Sequence, residues 1–213
     1  LARTRQLNWQ EQDQFVYELS LDGVVTLNPG NVNAGIATYT LDGLLCMRVL
    51  ETLNGKTEVG MQLSKLVREH QGEPDARLLS ALSMHFVVQF KGGMPLTFRF
   101  PEGQNGDVQK ELSELIRGFQ VMLPDQPSRQ WNALETNQDG QYRSSYQIDS
   151  NGVWNKNKLS YVSVGEVANA LNVDKIQVIQ SLATFKPSKK KGWWQEAEMV
   201  DELEFLISSK SFI

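Results

Sequence analysis

Glu196, Glu198, Glu202 and Glu204 share one parity in the stretch WWQEAEMVDELEFLI, so an extended chain places four carboxylates in one row. Paired carboxylates can serve as proton donor and acceptor when their environments push their pKa values apart. Even spacing along one face points instead to solvent, where an acidic row keeps a surface or edge strand from pairing with another sheet. The other stretch with an interaction character is KKKGWW. Its Lys189, Lys190 and Lys191 attract phosphate or carboxylate, and Trp193 and Trp194 can stack on bases or sit at a membrane interface, which makes the five residues a candidate interaction tip. The competing reading is a solvated hairpin tip with one tryptophan buried.

Other chemistries find no constellation. His70 and His85 lie far apart, and the single cysteine, Cys46, cannot join them in a metal cage, so no metal site is expected. Cys46 sits within LLCMRVL and reads as a small buried hydrophobe rather than a nucleophile. No Gly-x-Ser-x-Gly elbow occurs. Neither the glycine pair at residues 92 to 93 nor NGDVQK completes a phosphate-cradling loop. The expectation is therefore no catalytic residue, no cofactor and no enzyme activity.

The chain has 213 residues, enough to bury a real core, and is read as one β-barrel-like domain or a fragment of a longer chain. A hydrophobic content of 40% with 22% charged residues argues against wholesale disorder. The formal net charge of −4 supplies no general attraction to nucleic acid or to an anionic membrane. One cysteine rules out an intramolecular disulfide and leaves both a reducing cytosol and a low-cysteine bacterial envelope open. The chain begins at Leu1 rather than methionine, which reads as a processing site or the edge of a longer chain, and no leader sequence is visible. Charges or turn residues interrupt every apolar run short of the roughly 18 residues a spanning helix needs.

The elements that must position these residues are mostly strands. Phe15, Tyr17, Leu19 and Leu21 alternate with polar residues over 13 to 27, the period of a half-buried strand. Residues 34 to 53 read as one or two further strands broken near Asp42 and Gly43. Asn54-Gly55 tolerates the positive φ angles of a type I′ turn and predicts an antiparallel hairpin. Leu78, Leu82, Met84, Phe86, Val88 and Phe90 alternate as another strand, followed by a hairpin into Met94 to Phe100, with Pro95 at a strand start or sheet edge.

The period then changes. Val108, Leu112, Leu115, Ile116, Phe119 and Met122 recur at spacings of three and four, forming the core face of a helix over about 107 to 123, with Asn105 or Asp107 as its cap. Strands resume at 131 to 136 and 141 to 148 around an Asp-Gly turn signal, and again at 156 to 164. Residues 176 to 185 and 193 to 207 read as a long hairpin.

A hairpin ending in PLTFRFPEGQ, then VQKELSELIRGFQVMLP, then WNALETNQDGQYRSSYQI resembles the N-terminal β-barrel of the large lipid transfer proteins, the family of vitellogenin, apolipoprotein B and microsomal triglyceride transfer protein. The opening LNWQEQDQFVYELSLDGVV also resembles that family's first strand. Glu135, Gly140 and Tyr146 stand where the family places an acid, a glycine turn and a tyrosine-bearing strand. The chain departs from the family in lacking the disulfides of animal members and in stopping short of the helical-repeat and lipid-cavity domains. The resemblance implies a mainly β fold, an antiparallel and strongly curved sheet or barrel wrapped around one central helix. It further implies a binding module for lipid or lipoprotein handling, with a protein partner, lipid as a possible ligand, no nucleic acid, and an extracytoplasmic setting. The alternative is an envelope or assembly scaffold that binds a protein partner without lipid.

Overall fold

The computed structural model describes residues 9–27, 35–76, 78–170, 173–188 and 193–207. The chain is mainly β and divides into two compact units, one built chiefly from Gln10–Lys91 and Pro95–Ser113, the other from Trp9, Gly92–Met94 and the chain from Glu114 onward.

The first unit contains a sheet in the order β1-β2-β3-β5-β6, with β4 paired to β3. Its strands are β1 (Gln14–Leu27), β2 (Gly35–Leu53), β3 (Lys56–His70), β4 (Glu73–Pro74), β5 (Phe86–Lys91) and β6 (Met94–Arg99). Register explains why alternation works here. Phe15 pairs with Met47, Met47 with Met61 and Met61 with Phe86, so one buried row crosses four strands. Val49, Val59 and Val88 form the next row on the same face. Asn54 and Gly55 both have positive φ, 52° and 73°, as a type I′ turn demands.

Three expectations for this part of the chain change. β2 runs as a single 19-residue strand, and Asp42-Gly43 produces a register shift rather than a break. The strand expected from Leu78 begins only at Phe86. Leu78 takes a left-handed φ of 68° and starts a one-turn helix, α1 (Leu79–Leu82), closed by the Ser83 hydroxyl on the Leu79 carbonyl at 2.8 Å. Cys46 is half-buried rather than buried, with its sulfur 3.7 Å from the Ser64 hydroxyl.

The helix α2 (Gly106–Gly118) is capped by Asn105, whose Oδ1 accepts the Asp107 N–H at 2.7 Å. Val108, Leu112 and Ile116 are its buried stripe, while Leu115 is half-buried. It ends before Phe119 and Met122, which the periodicity placed on it. The N–H groups of Phe119 and Gln120 turn back to Ile116 and Arg117, and Val121 then donates to the Gly93 carbonyl at 3.0 Å. A bridging segment cannot remain helical, so the chain from Gln120 is extended.

The second unit holds a five-stranded antiparallel sheet, β11-β10-β9-β8-β7. Its strands are β7 (Gln130–Asn137), β8 (Gly140–Ile148), β9 (Trp154–Val164), β10 (Val173–Pro187) and β11 (Trp194–Ile207), with the short helix α3 (Glu166–Ala170) between β9 and β10. The β7–β8 turn is centred on Gln138-Asp139, not on Asp139-Gly140. Asn137 pairs with Gly140, and its side-chain oxygen accepts the Gly140 N–H. Gly140 has φ 147°, and a Cβ there would lie 2.0 Å from the Ser163 carbonyl oxygen, so this position requires glycine. The described strands form two open sheets; no closed barrel surrounds α2.

Candidate functional site

One cross-strand row of the second sheet runs Trp131, Tyr146, Lys156, Ala183 and Met199 across all five strands, and its central members Tyr146, Lys156 and Ala183 are buried. A lysine in that row needs an acid, because burying an unpaired ammonium costs several kcal/mol, on the order of what a whole domain retains. Glu135 supplies it from β7. Lys156 Nζ lies 2.6 Å from Glu135 Oε2 and 3.1 Å from the Gln120 carbonyl oxygen, with Lys156 and Glu135 exposed by only 5% and 3%.

Every oxygen of the acid is engaged. Tyr146 donates to Glu135 Oε1 at 2.6 Å, and Tyr142 donates to Oε2 at 3.2 Å. The Gln120 side-chain amide donates to the Tyr142 hydroxyl at 2.8 Å. The Met122 N–H reaches the Tyr146 hydroxyl at 3.2 Å, and Trp131 Nε1 donates to the Met122 carbonyl at 2.8 Å. Side chains from β7, β8 and β9 therefore hold the backbone of Gln120–Met122, the segment that leaves α2. Burial lowers the Lys156 pKa, with Glu135 opposing the shift, and burial reinforced by Glu135 holds the Tyr146 phenol well above its ordinary value. The arrangement is a satisfied polar clasp. Its lysine and tyrosines are engaged with internal partners.

A second polar group lies further along the same sheet. Lys158 Nζ is 2.6 Å from Asp201 Oδ2 and sits 4.7 Å from the Tyr142 ring centroid. Asp139 accepts from the Asn137 side chain at 2.9 Å, and Glu114, at the last turns of α2, lies 3.7 Å from Arg117. Burial raises the pKa of both Glu114 and Asp139.

The candidate interaction tip is divided by the structure. Lys189, Lys190 and Lys191 lie outside the described residues, whereas Trp193 and Trp194 are buried, with 6% and 3% exposed. Trp193 packs edge-on to Trp9 with ring centroids 4.4 Å apart, and Trp194 packs on Trp154 and Phe185. Both indoles are thus core, not a presented surface. Glu196, Glu198, Glu202 and Glu204 are exposed on β11, and Glu196 pairs with Lys186. Among the described residues no group of three or more acids, histidines or cysteines is placed to hold a metal ion, and no helix is long and apolar enough to cross a membrane.

The sequence brought Glu135 and Tyr146 into view but not Lys156, Tyr142 or Gln120. A signal for Lys156 was present. In WNKNK, Lys156 and Lys158 share parity with Trp154, so a strand that buries the tryptophan must also turn two ammonium groups inward.

No protein-family model and no curated protein matches the chain. A solved structure describing lipid–protein interactions in lipovitellin does resemble it, at 12% identity and a TM-score of 0.55. The likeness covers 91% of this chain and 22% of that one, so this chain spans less than a quarter of lipovitellin's length. At such low identity the comparison establishes a shared fold.

Proposed function

We propose that this chain is a non-enzymatic binding module that acts in lipid or lipoprotein handling through protein or lipid contacts, in an extracytoplasmic setting. The observation that carries this reading is the fold-level likeness to lipovitellin over 91% of the chain. The absence of enzyme activity is supported by the clasp itself, where Glu135, Lys156, Tyr142 and Tyr146 satisfy one another and are withheld from solvent.

Native mass spectrometry before and after organic extraction tests the lipid part. A stoichiometric lipid that extraction removes supports it. A single lipid-free mass in repeated preparations, including after incubation with phospholipid vesicles, removes it.

A second reading, a scaffold that binds a protein partner without lipid, is favoured by the aromatic packing of the second unit. Trp131, Trp154, Trp194 and Phe185 fill the inner face of the sheet in continuous ring contact, leaving that space to the protein's own side chains. A ligand at this unit then binds on the outside, where Leu182 and Val200 pair across β10 and β11 with 43% and 57% exposed. Under this reading the lipid-free mass is accompanied by partner capture that L182S and V200S weaken.

A further inference from the structure

β11 ends the second sheet. It pairs with β10 along its length, and among the described strands none pairs with its other edge, so the N–H and C=O groups of alternate residues point away from the sheet there. Its large side chains are exposed on both faces. Met199 and Phe205, across from the buried Ala183 and Ile176 on the inner face, are 43% and 42% exposed. Val200, across from Leu182 on the outer face, is 57% exposed. A strand with neighbours on both sides covers such residues with cross-strand partners; among the described strands β11 has one neighbour.

The outer row is also charged. Glu196, Glu198, Glu202 and Glu204 share parity with Val200 and are exposed. Lys186 pairs with Glu196 and lies close enough to Glu198 to feel its charge. Glu202 and Glu204 stand across from the neutral Gln180 and Gln177. The only other lysine in register with this row is Lys175, across from Leu206, so the acids outnumber the bases.

We infer that the open edge of β11 accepts an extended segment of another protein as a further strand, one in which lysine or arginine alternates with other residues on both sides of an apolar centre. This deepens the protein-binding reading above by naming the partner's chemistry. Strand addition supplies main-chain hydrogen bonds, and the alternate side chains supply the selection. An apolar centre covers Val200, and cations two and four residues away meet the four glutamates. The acids are placed symmetrically about Val200, so either strand direction fits. A second copy of this chain does not fit. Antiparallel pairing of two β11 strands about Val200 sets Glu198 across from Glu202 and Glu196 across from Glu204, and like charges directly opposite repel.

The probe is a synthetic peptide with valine at its centre, lysine at every second position on both sides and threonine between, titrated calorimetrically against the whole chain. It is expected to bind roughly tenfold or more tightly than the same peptide with glutamate for lysine, and than a peptide of equal composition with its lysines gathered at one end. Methylating the peptide's backbone nitrogens along one edge should abolish binding, and along the other edge should leave it intact. E198K combined with E202K should weaken the lysine peptide about tenfold and favour the glutamate peptide. No binding, equal binding of the alternating and gathered peptides, or indifference to methylation overturns the assignment. So does a dimer of the chain that E198K alone strengthens, since that variant turns a repulsion with Glu202 of the second copy into an attraction. The peptide comparisons use the unaltered protein, so they decide the matter if a variant fails to fold. Extraction of lipid and capture of a partner use no peptide, so failure here is distinguishable from failure of the binding reading.

Discussion

Tyr146 on β8 donates its hydroxyl proton to Glu135 on β7 at 2.6 Å, and the same hydroxyl oxygen accepts the Met122 N–H at 3.2 Å. One phenol thus joins a buried acid to the backbone of the segment leaving α2. Removing only that hydroxyl in Y146F leaves Glu135 Oε1 and the Met122 N–H without this partner. The expected loss is about 1–3 kcal/mol, read as a lower midpoint in urea denaturation with an unchanged slope. A midpoint equal to that of the unaltered protein shows that water replaces the phenol and that the clasp is not closed.

Lys156 and Glu135 form a pair whose members depend on each other. K156M strands a buried carboxylate and E135L strands a buried ammonium, each expected to cost about 3–5 kcal/mol. The double variant, with both charges removed, loses less than the sum of the two. Additive losses in a double-mutant cycle would falsify direct coupling at 2.6 Å.

Alkali attacks the fold through its phenols. Burial raises the pKa of Tyr17, Tyr142, Tyr146 and Tyr161 above the ordinary value of about 10. Each raised value contributes stability that is complete below about pH 10 and lost as pH climbs through the folded pKa. Phenolate absorbance should therefore lag the titration of free tyrosine and then rise together with the loss of circular dichroism. Smooth ionisation of Tyr17, Tyr142, Tyr146 and Tyr161 near pH 10 in the folded protein contradicts their burial.

Two glycines separate steric need from backbone need. G140A forces a Cβ to within 2.0 Å of the Ser163 carbonyl oxygen, at φ 147°. At Gly55 no atom lies within 4 Å of an added Cβ, leaving only the strain of φ 73°. G140A is expected to destabilise by more than about 2 kcal/mol and G55A by about 1 kcal/mol. Thermal melts of the two variants compare them, and equal shifts contradict the close approach of β8 to β9.

Much of the β architecture was legible because strand alternation is local. Phe15, Leu19, Val59 and Val88 carry their inward parity in the sequence, and Asn54-Gly55 carries its own turn. The hairpin of β10 and β11 was readable because exposed glutamates alternate with residues facing the other way. The length of α2 was not legible. Phe119 and Met122 continue the helical spacing, and only the bond from Val121 to Gly93, together with the clasp on Gln120 and Met122, makes extension the better use of those backbone groups. Trp193 and Trp194 misled for a related reason. A tryptophan beside three lysines has the same local signature at a surface tip as at the mouth of a core.

The sequence by itself determined the strand content, the apolar faces and the hairpin order, since each depends on neighbours a few residues apart. Only the tertiary structure decided that Glu135 meets Lys156, that Lys158 meets Asp201, and that the described strands form two open sheets rather than one barrel. These outcomes depend on which distant groups satisfy buried charges and backbone bonds. A buried ammonium states in the sequence that it needs a partner; the register of three strands chooses which one.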